Sequence, residues 1–211
     1  MESDASFGVS LAQKDIYFDQ LRYPKSPLYN IGGYIGVGAV DVVRLSEAHR
    51  LLVLEDDVFG IRIQTTIKGL EQSISQVRDT NLPIVDCSFK DDPDMEARFW
   101  LKKLFERPLE FENKELFKAT LLKINERCYW YVGLAHHLMM DGWGFSNWAH
   151  RLGQLYNDPT LSKRSKVNWR EIVFNDEKYL FSKRYQLDKS YWLEQPGLRA
   201  DSLLFPYYRN Q

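Results

Sequence analysis

The chain has 211 residues, of which 44% are hydrophobic and 14% aromatic, enough for the core of one large globular domain or of one lobe of a larger enzyme. Its 28 basic and 29 acidic residues leave a net charge of -1, which argues against a general binder of nucleic acid or anionic membranes. The longest apolar runs are only strand-sized and the N-terminus lacks a signal-peptide pattern, so we expect a cytoplasmic protein without a membrane span.

The first part of the chain predicts two helices with a strand between them. Ser10 and Gln13 have the spacing of a capping box, in which each side chain bonds the backbone amide of the other residue, and a helix then extends to about Arg22. A strand interrupted by glycines is predicted over 34–40. Asp41 follows at a position where its carboxylate can cap a second helix, whose apolar residues recur at helical spacing.

The middle of the chain predicts a hairpin followed by a third helix. Short strands over 59–66 and 73–78 flank a turn signal at Lys68-Gly69. Asp92, followed by a proline, opens a helix with one apolar face.

Two β-rich segments, 116–124 and 127–135, predict an antiparallel hairpin because an Asn-Glu pair separates them. The second of these strands leads directly into two adjacent histidines. Beyond them, apolar residues from Phe145 to Leu155 recur at helical spacing, and an Asn-Asp-Pro sequence ends that helix.

The remainder of the chain predicts a loop, one helix and a tail. The loop over 162–168 is basic and polar, and we interpret it as solvated, with contact to an acidic partner as the alternative. A single helix is predicted over 176–192. No repeat or low-complexity tract divides the chain, so we expect one folding unit over 1–195 and the start of a linker over 196–211.

The two histidines, His136 and His137, are the candidate chemical centre. Imidazole titrates near neutrality and can accept or donate a proton during acyl transfer when it lies within hydrogen-bond reach of an amine. Neighbouring side chains on a strand point to opposite faces, so only one of the two can face a given cleft. Asp141 can fix the following turn by hydrogen bonds or a salt bridge, and Gly142 allows the backbone to approach a substrate. Taken alone, such a pair is more often structural.

The sequence context resembles one protein family. The segment 129–145, YWYVGLAHHLMMDGWGF, is similar to the H-H-x-x-x-D-G motif of condensation domains from nonribosomal peptide synthetases. Ser10-Leu-Ala-Gln13 resembles the first conserved block of that family, which opens with S-x-A-Q, and Asp188 to Trp192 resembles its helix ending in D-x-x-Y-W. These similarities extend over nearly the whole chain, which is identified as a member of the family.

This resemblance implies an α/β (α+β) fold like that of chloramphenicol acetyltransferase. The expected lobe is a two-layer sandwich with a mixed, largely antiparallel sheet packed by helices. Residues 1–195 would form the N-terminal lobe of a condensation domain, and residues 196–211 would begin a linker to a C-terminal lobe that this sequence does not contain. The late motifs of that second lobe, including one with G-x-F-V-N, are not found here.

The resemblance also implies an activity. Condensation domains transfer an acyl or peptidyl group from the phosphopantetheine arm of one carrier protein to the amine held on another, without a metal or a bound cofactor. By this resemblance His137 is the catalytic residue, and His136, Asp141 and Gly142 support it. The implied partners are donor and acceptor peptidyl carrier proteins, the C-terminal lobe and a neighbouring adenylation domain.

One block departs from the family pattern. Where the family has R-H-E-x-L-R after its second helix, the expected arginine falls at Gly60 or shifts to Arg62. Because that arginine typically pairs with the motif aspartate, Arg62 is a possible structural partner of Asp141. The alternative is an Arg62 that lies solvated on a strand.

Other functions remain open from the sequence. An epimerisation domain shares the motif and the fold, and would use the histidine for proton exchange at an α-carbon. A non-catalytic half-domain would fold and bind a carrier protein without turnover. A metal site formed by His137, Asp141 and His150 has the right side-chain types, but nothing in the sequence fixes them at ligand distance.

Overall fold

The computed structural model describes residues 6–163 and 168–195, and these residues form six strands and six α-helices. The strands are β1 (Asn30–Val37), β2 (Ile61–Thr66), β3 (Gly69–Ile74), β4 (Ile84–Asp86), β5 (Phe117–Asn125) and β6 (Cys128–His136). The helices are α1 (Leu11–Arg22), α2 (Val42–Glu55), α3 (Pro93–Phe105), α4 (Gly142–Asn157), α5 (Trp169–Leu180) and α6 (Lys183–Glu194). Short 3₁₀ turns cover Asp57–Gly60 and Pro159–Lys163.

The main sheet has the strand order β1-β6-β5-β4. β6 pairs antiparallel with both β1 and β5, whereas β4 pairs parallel with β5. β6 lies between two strands, and core clusters cover its side chains on both faces, so every residue from Tyr129 to His136 is buried. β2 and β3 form a separate antiparallel hairpin. The strand that ends at the histidines is therefore held on both of its edges.

Helices pack on both faces of this sheet. Leu121 and Tyr131 belong to the larger core cluster, which includes residues of α2 and α4. Their neighbours Leu122 and Trp130 point to the other face, where Ala97 of α3 packs against them. The predicted α/β class with a mixed, largely antiparallel sheet is confirmed. On the second face of the sheet, the packing comes from α3.

Several predicted elements have different bounds in the structure. β1 begins at Asn30, before the predicted 34–40. In the first hairpin, β3 covers Gly69–Ile74 and not the predicted 73–78. The strand starts early because Gly69 follows a two-residue turn directly and adopts the φ of +113° that this position requires. The predicted single helix over 176–192 is wrong: α5 ends at Leu180, and the Ser182 hydroxyl accepts a hydrogen bond from the amide of Tyr185 to cap a new helix, α6. β4 was not predicted, because a strand of three residues has too short a pattern to recognise.

The chain divides into two compact units, Met1–Arg170 and Glu171–Gln211, with the boundary inside α5. In the described part of the second unit, the Tyr179 hydroxyl donates to Asp188, which also pairs with Arg184. The lobe boundary at 195 stays a prediction. The predicted linker over 196–211 and residues 164–167 of the basic loop lie outside the described residues. Within the described ranges, no helix has both the length and the hydropathy needed to cross a bilayer.

Candidate functional site

The histidine motif begins at the last paired residue of the central strand, β6. His136 lies opposite Asn30 of β1, and its amide donates to the carbonyl oxygen of Leu116 at 2.8 Å. The amide of His137 donates in the other direction, to the carbonyl oxygen of Tyr29, also at 2.8 Å. The backbone of both histidines is therefore anchored to the segments on either side of β6.

His136 is a core residue. Its side chain is 1% exposed and lies between the rings of Tyr29 and Phe111, whose centroids are 6.1 and 5.3 Å away. The Nδ1 atom accepts a hydrogen bond from the amide of Leu138 at 3.2 Å, and among the described residues Nε2 has no partner. Burial, with a smaller contribution from His137, lowers the pKa of His136 to about 4. His136 is therefore neutral at pH 7 and supports the turn from inside.

His137 lies in a different environment, although it is the next residue. It is only partly buried, and its ring meets Tyr29 edge-on at a centroid distance of 6.4 Å. The alternation expected at a strand end thus separates the two rings, one inside and one accessible. This accessibility is consistent with the predicted catalytic role of His137, which stays a prediction.

Asp141 and Gly142 form the start of α4. Asp141 is the N-cap, and its carboxylate accepts a hydrogen bond from the amide of Gly144 at 2.8 Å. Gly142 is the exposed first helical residue, and a Cβ atom there would meet no atom within 4 Å. Trp143 beside it is 80% exposed, so this ring is not part of the core. Asp141 thus caps α4 through a backbone amide, and its supporting role for His137 stays a prediction.

Of the two alternatives for Arg62, the pairing with Asp141 is not what the structure shows. The Arg62 guanidinium donates to Glu115 at 2.6 Å and to the carbonyl oxygens of Ile61 and Val77. These partners lie around β2, and the Asp141 carboxylate instead caps α4. Burial lowers the pKa of Arg62, and the Glu115 carboxylate partly offsets that effect.

Sequence reasoning missed Arg78, whose guanidinium lies beside Gly60. A Cβ atom on Gly60 would lie 2.9 Å from Nε of Arg78. The buried Arg78 guanidinium donates to the carbonyl oxygens of Val53 and Asp56 at the end of α2. The small residue at position 60 therefore leaves room for a guanidinium that comes from elsewhere in the chain. The glycine itself was the only sequence signal for this arrangement.

A second missed residue is Gln13, whose side-chain amide donates to the carbonyl oxygen of Leu138, 3.1 Å away. Leu138 lies in the turn over 137–139 that follows β6, called the motif turn below. The capping box with Ser10 is present as predicted. Because that local role accounted for the glutamine, its contact with a residue 125 positions later was not considered.

The candidate metal set is not brought together as a ligand group. His150 lies exposed on α4, with its Nε2 atom 3.1 Å from the side-chain amide of Gln154. In the part of the chain that the structure describes, no three His, Cys, Asp or Glu side chains are grouped so as to hold a metal ion.

Comparison with known proteins gives a consistent result. The family model described as "Condensation domain" matches residues 5–210. A dimodular nonribosomal peptide synthase of Bacillus subtilis (strain 168) is 30% identical over 198 residues, which cover 91% of this chain and 8% of that protein. An isonitrile lipopeptide synthase of Streptomyces coeruleorubidus is 26% identical over 190 residues, 87% of this chain and 13% of its own length.

Solved structures show the same similarity. The starter condensation domain of rhizomide synthetase RzmA matches with a TM-score of 0.79 and 26% identity, covering 90% of this chain and 47% of that one. A mutant of the same domain in complex with C8-CoA and Leu-SNAC matches with a TM-score of 0.81 and 26% identity, over 89% of this chain and 44% of its own. The chain therefore spans about half of these solved domains and a small part of the curated relatives.

Proposed function

The chain belongs to the condensation domain family, and on this basis we propose that it acts as the N-terminal lobe of an amide-forming domain in a nonribosomal peptide synthetase. The placement of the motif supports this proposal. An anchored, partly exposed imidazole lies at the end of the central strand, beside a buried and neutral one. A reacting amine can reach the first but not the second.

The reaction joins a thioester and an amine. The amine nitrogen of the acceptor attacks the thioester carbonyl of the donor, so that a C–N bond forms, the C–S bond breaks, and the donor arm leaves as a thiol. The proton lost by the amine balances the proton gained by the sulfur. Acyl transfer of this kind needs no change of oxidation state.

His137 is the residue that serves the amine in this proposal. Its imidazole hydrogen-bonds the amine and takes its proton, or positions the amine and stabilises the tetrahedral intermediate. His136 and Asp141 hold the turn from opposite ends. The amide of Gly142, in the first turn of α4, is available near the reacting carbonyl, where the helix dipole favours negative charge. Binding two tethered substrates in line supplies effective concentration as well.

The proposed partners follow from the family. The donor and acceptor groups are carried on phosphopantetheine arms of two peptidyl carrier proteins, and the C-terminal lobe completes the substrate tunnel. A neighbouring adenylation domain supplies activated amino acids. The RzmA domain solved with C8-CoA and Leu-SNAC supports a pair of substrates of this kind.

Amide formation from loaded carrier proteins tests the proposal. We expect no condensation product from this chain alone, and product when the C-terminal lobe is added, because a base accelerates transfer only when both reactants are held beside it. Mass spectrometry of the acceptor carrier detects the new amide. The same reaction in D₂O follows exchange at the α-carbon. Exchange without amide formation would replace the proposal with an epimerisation domain.

A further inference from the structure

The side-chain amide of Gln13 uses all of its hydrogen-bonding capacity. Its oxygen accepts from the amide of Ser10 at 2.9 Å and from Nε2 of Gln72 at 3.0 Å. Its nitrogen donates to the oxygen of the Gln72 side chain and to the carbonyl oxygen of Leu138, both at 3.1 Å. A primary amide has two donors and two acceptor positions, so this buried side chain cannot rotate without losing a partner.

Gln72, on β3, is satisfied in the same way. Besides its reciprocal pair with Gln13, its nitrogen donates to the carbonyl oxygen of Gly8 at 2.9 Å, and its oxygen accepts from the indole N–H of Trp169 at 3.0 Å. Gln72 is fully buried. The two amides therefore form a closed pair that connects the start of α1, the β2–β3 hairpin, the start of α5 and the motif turn.

We propose that the Gln13–Gln72 amide pair is the positioning element for His137. This inference rests on the proposed function, since it concerns how the same imidazole is held. The amide of His137 is fixed to Tyr29 on one side. On the other side, the carbonyl of the next residue, Leu138, is fixed to Gln13. The His137–Leu138 segment is therefore restrained both before and after the peptide bond that joins them.

Burial prevents water from replacing the Gln13 side-chain amide as the donor to Leu138. Leu138 is 2% exposed and Gln13 is 4% exposed, so solvent has little access to their hydrogen bond. When the donor is removed, the Leu138 carbonyl loses a partner that water cannot easily replace, and the turn shifts to find another. A small displacement of a reacting group costs a large factor in rate.

Gln20 provides a matched control on the same helix. It is also a buried glutamine, 3% exposed, and its side-chain nitrogen donates to the carbonyl oxygens of Tyr23 and Ser26. Gln13→Ala and Gln20→Ala therefore remove the same chemical group from α1. Only the first change releases the motif turn.

The test compares these variants in the condensation assay with the C-terminal lobe present. We expect Gln13→Ala to lower kcat by about 10- to 100-fold with KM changed less than about twofold, because positioning is lost while substrate contacts remain. Gln20→Ala should keep the wild-type kcat. Gln13→Glu is the second variant, because a carboxylate can still accept from Ser10 and Gln72 but cannot donate to Leu138. Its kcat should fall as much as that of Gln13→Ala. It replaces Gln13→Ala in the test if Gln13→Ala fails to fold.

A readout without turnover separates this inference from the proposed function. The ¹H–¹⁵N imidazole resonances of His137 in the 211-residue chain should shift in Gln13→Ala and stay unchanged in Gln20→Ala. If the wild type forms no amide, the proposed function fails while the resonances still test the positioning role. If the wild type is active, but the Gln13 variants keep its kcat and leave the His137 resonances unmoved, the positioning role is wrong.

Discussion

The histidine motif has an inner and an outer half that interleave in sequence but differ in environment. The inner half consists of buried residues, His136, Leu138, Met139 and Met140, and the outer half of accessible ones, His137, Asp141, Gly142 and Trp143. The inner residues pack under the end of the central strand, and the outer ones surround the start of α4. One short pattern thus encodes both a buried support and an accessible surface, so substitutions of the two histidines should affect different measurements.

The largest expected contrast is between the two histidines. In the two-lobed enzyme, His137→Ala should reduce the rate of amide formation by about 10²- to 10⁴-fold with little change in Tm, because it removes an accessible acid–base group. His136→Ala should instead lower the free energy of unfolding by about 2–4 kcal/mol, because it empties a buried site. Rate measurements and thermal melts on both variants separate these effects. A fully active His137→Ala variant would show that the accessible histidine is not needed for amide formation.

The pH dependence of stability is the next largest effect. Burial lowers the pKa of both His136 and His49 to about 4, whereas an unfolded histidine titrates near 6.5. Between these values the unfolded chain binds more protons than the folded one, so stability falls as pH drops below 6.5. From pH 7 to pH 5 each residue should remove about 2 kcal/mol.

Urea unfolding at a series of pH values measures this loss. The exposed His150 serves as the control, and His150→Gln should leave the pH profile unchanged. A free energy of unfolding that stays constant from pH 7 to pH 5 would contradict the burial of the two histidines.

Two glycines near the motif give a smaller, directly matched contrast. A Cβ atom on Gly133 of β6 would collide with the indole of Trp148, whereas one on Gly142 would meet nothing within 4 Å. Gly133→Ala should therefore lower the free energy of unfolding by about 2 kcal/mol, and Gly142→Ala should change it by less than about 0.5 kcal/mol. Equal urea midpoints for the two variants would show that the packing difference is absent.

The smallest effect concerns the cap of α4. Asp141→Ala removes the acceptor for the amide of Gly144 and should cost about 1 kcal/mol of stability. Asp141→Asn should cost less, because asparagine is an equally good N-cap. Thermal melts distinguish the two. Normal melting with abolished turnover in Asp141→Asn would instead show that the Asp141 carboxylate takes part in the reaction.

The parts that could be predicted from the sequence are those fixed by near neighbours. The capping box of Ser10 and Gln13, the β5–β6 hairpin and the separation of the two histidine rings all follow from patterns a few residues long. The end of α5 and the start of α6 at Ser182 also depend on near neighbours. They were missed because apolar residues on both sides give the pattern of one continuous helix.

The missed features depend on residues that are distant in sequence. Gln13 reaches Leu138, and Arg78 fills the space beside Gly60, and neither contact leaves a periodic signal in one sequence. Arg62 pairs with Glu115 and not with Asp141, because the carboxylate that a charged residue on a strand meets is decided by the folded hairpin and not by its near neighbours in sequence. Prediction therefore located features fixed by near neighbours better than contacts between residues distant in sequence.

The pairing of β1 with β6 has a consequence for how the protein folds. Asn30 and His136 are partners in this ladder although roughly a hundred residues separate them, and closing so long a loop costs entropy before any contact offsets it. The β5–β6 hairpin has only a short connection and forms without that delay. During refolding, we expect hairpin structure to appear first and the Tyr29 anchor of His137 to form late, so that the reactive geometry lags behind the secondary structure.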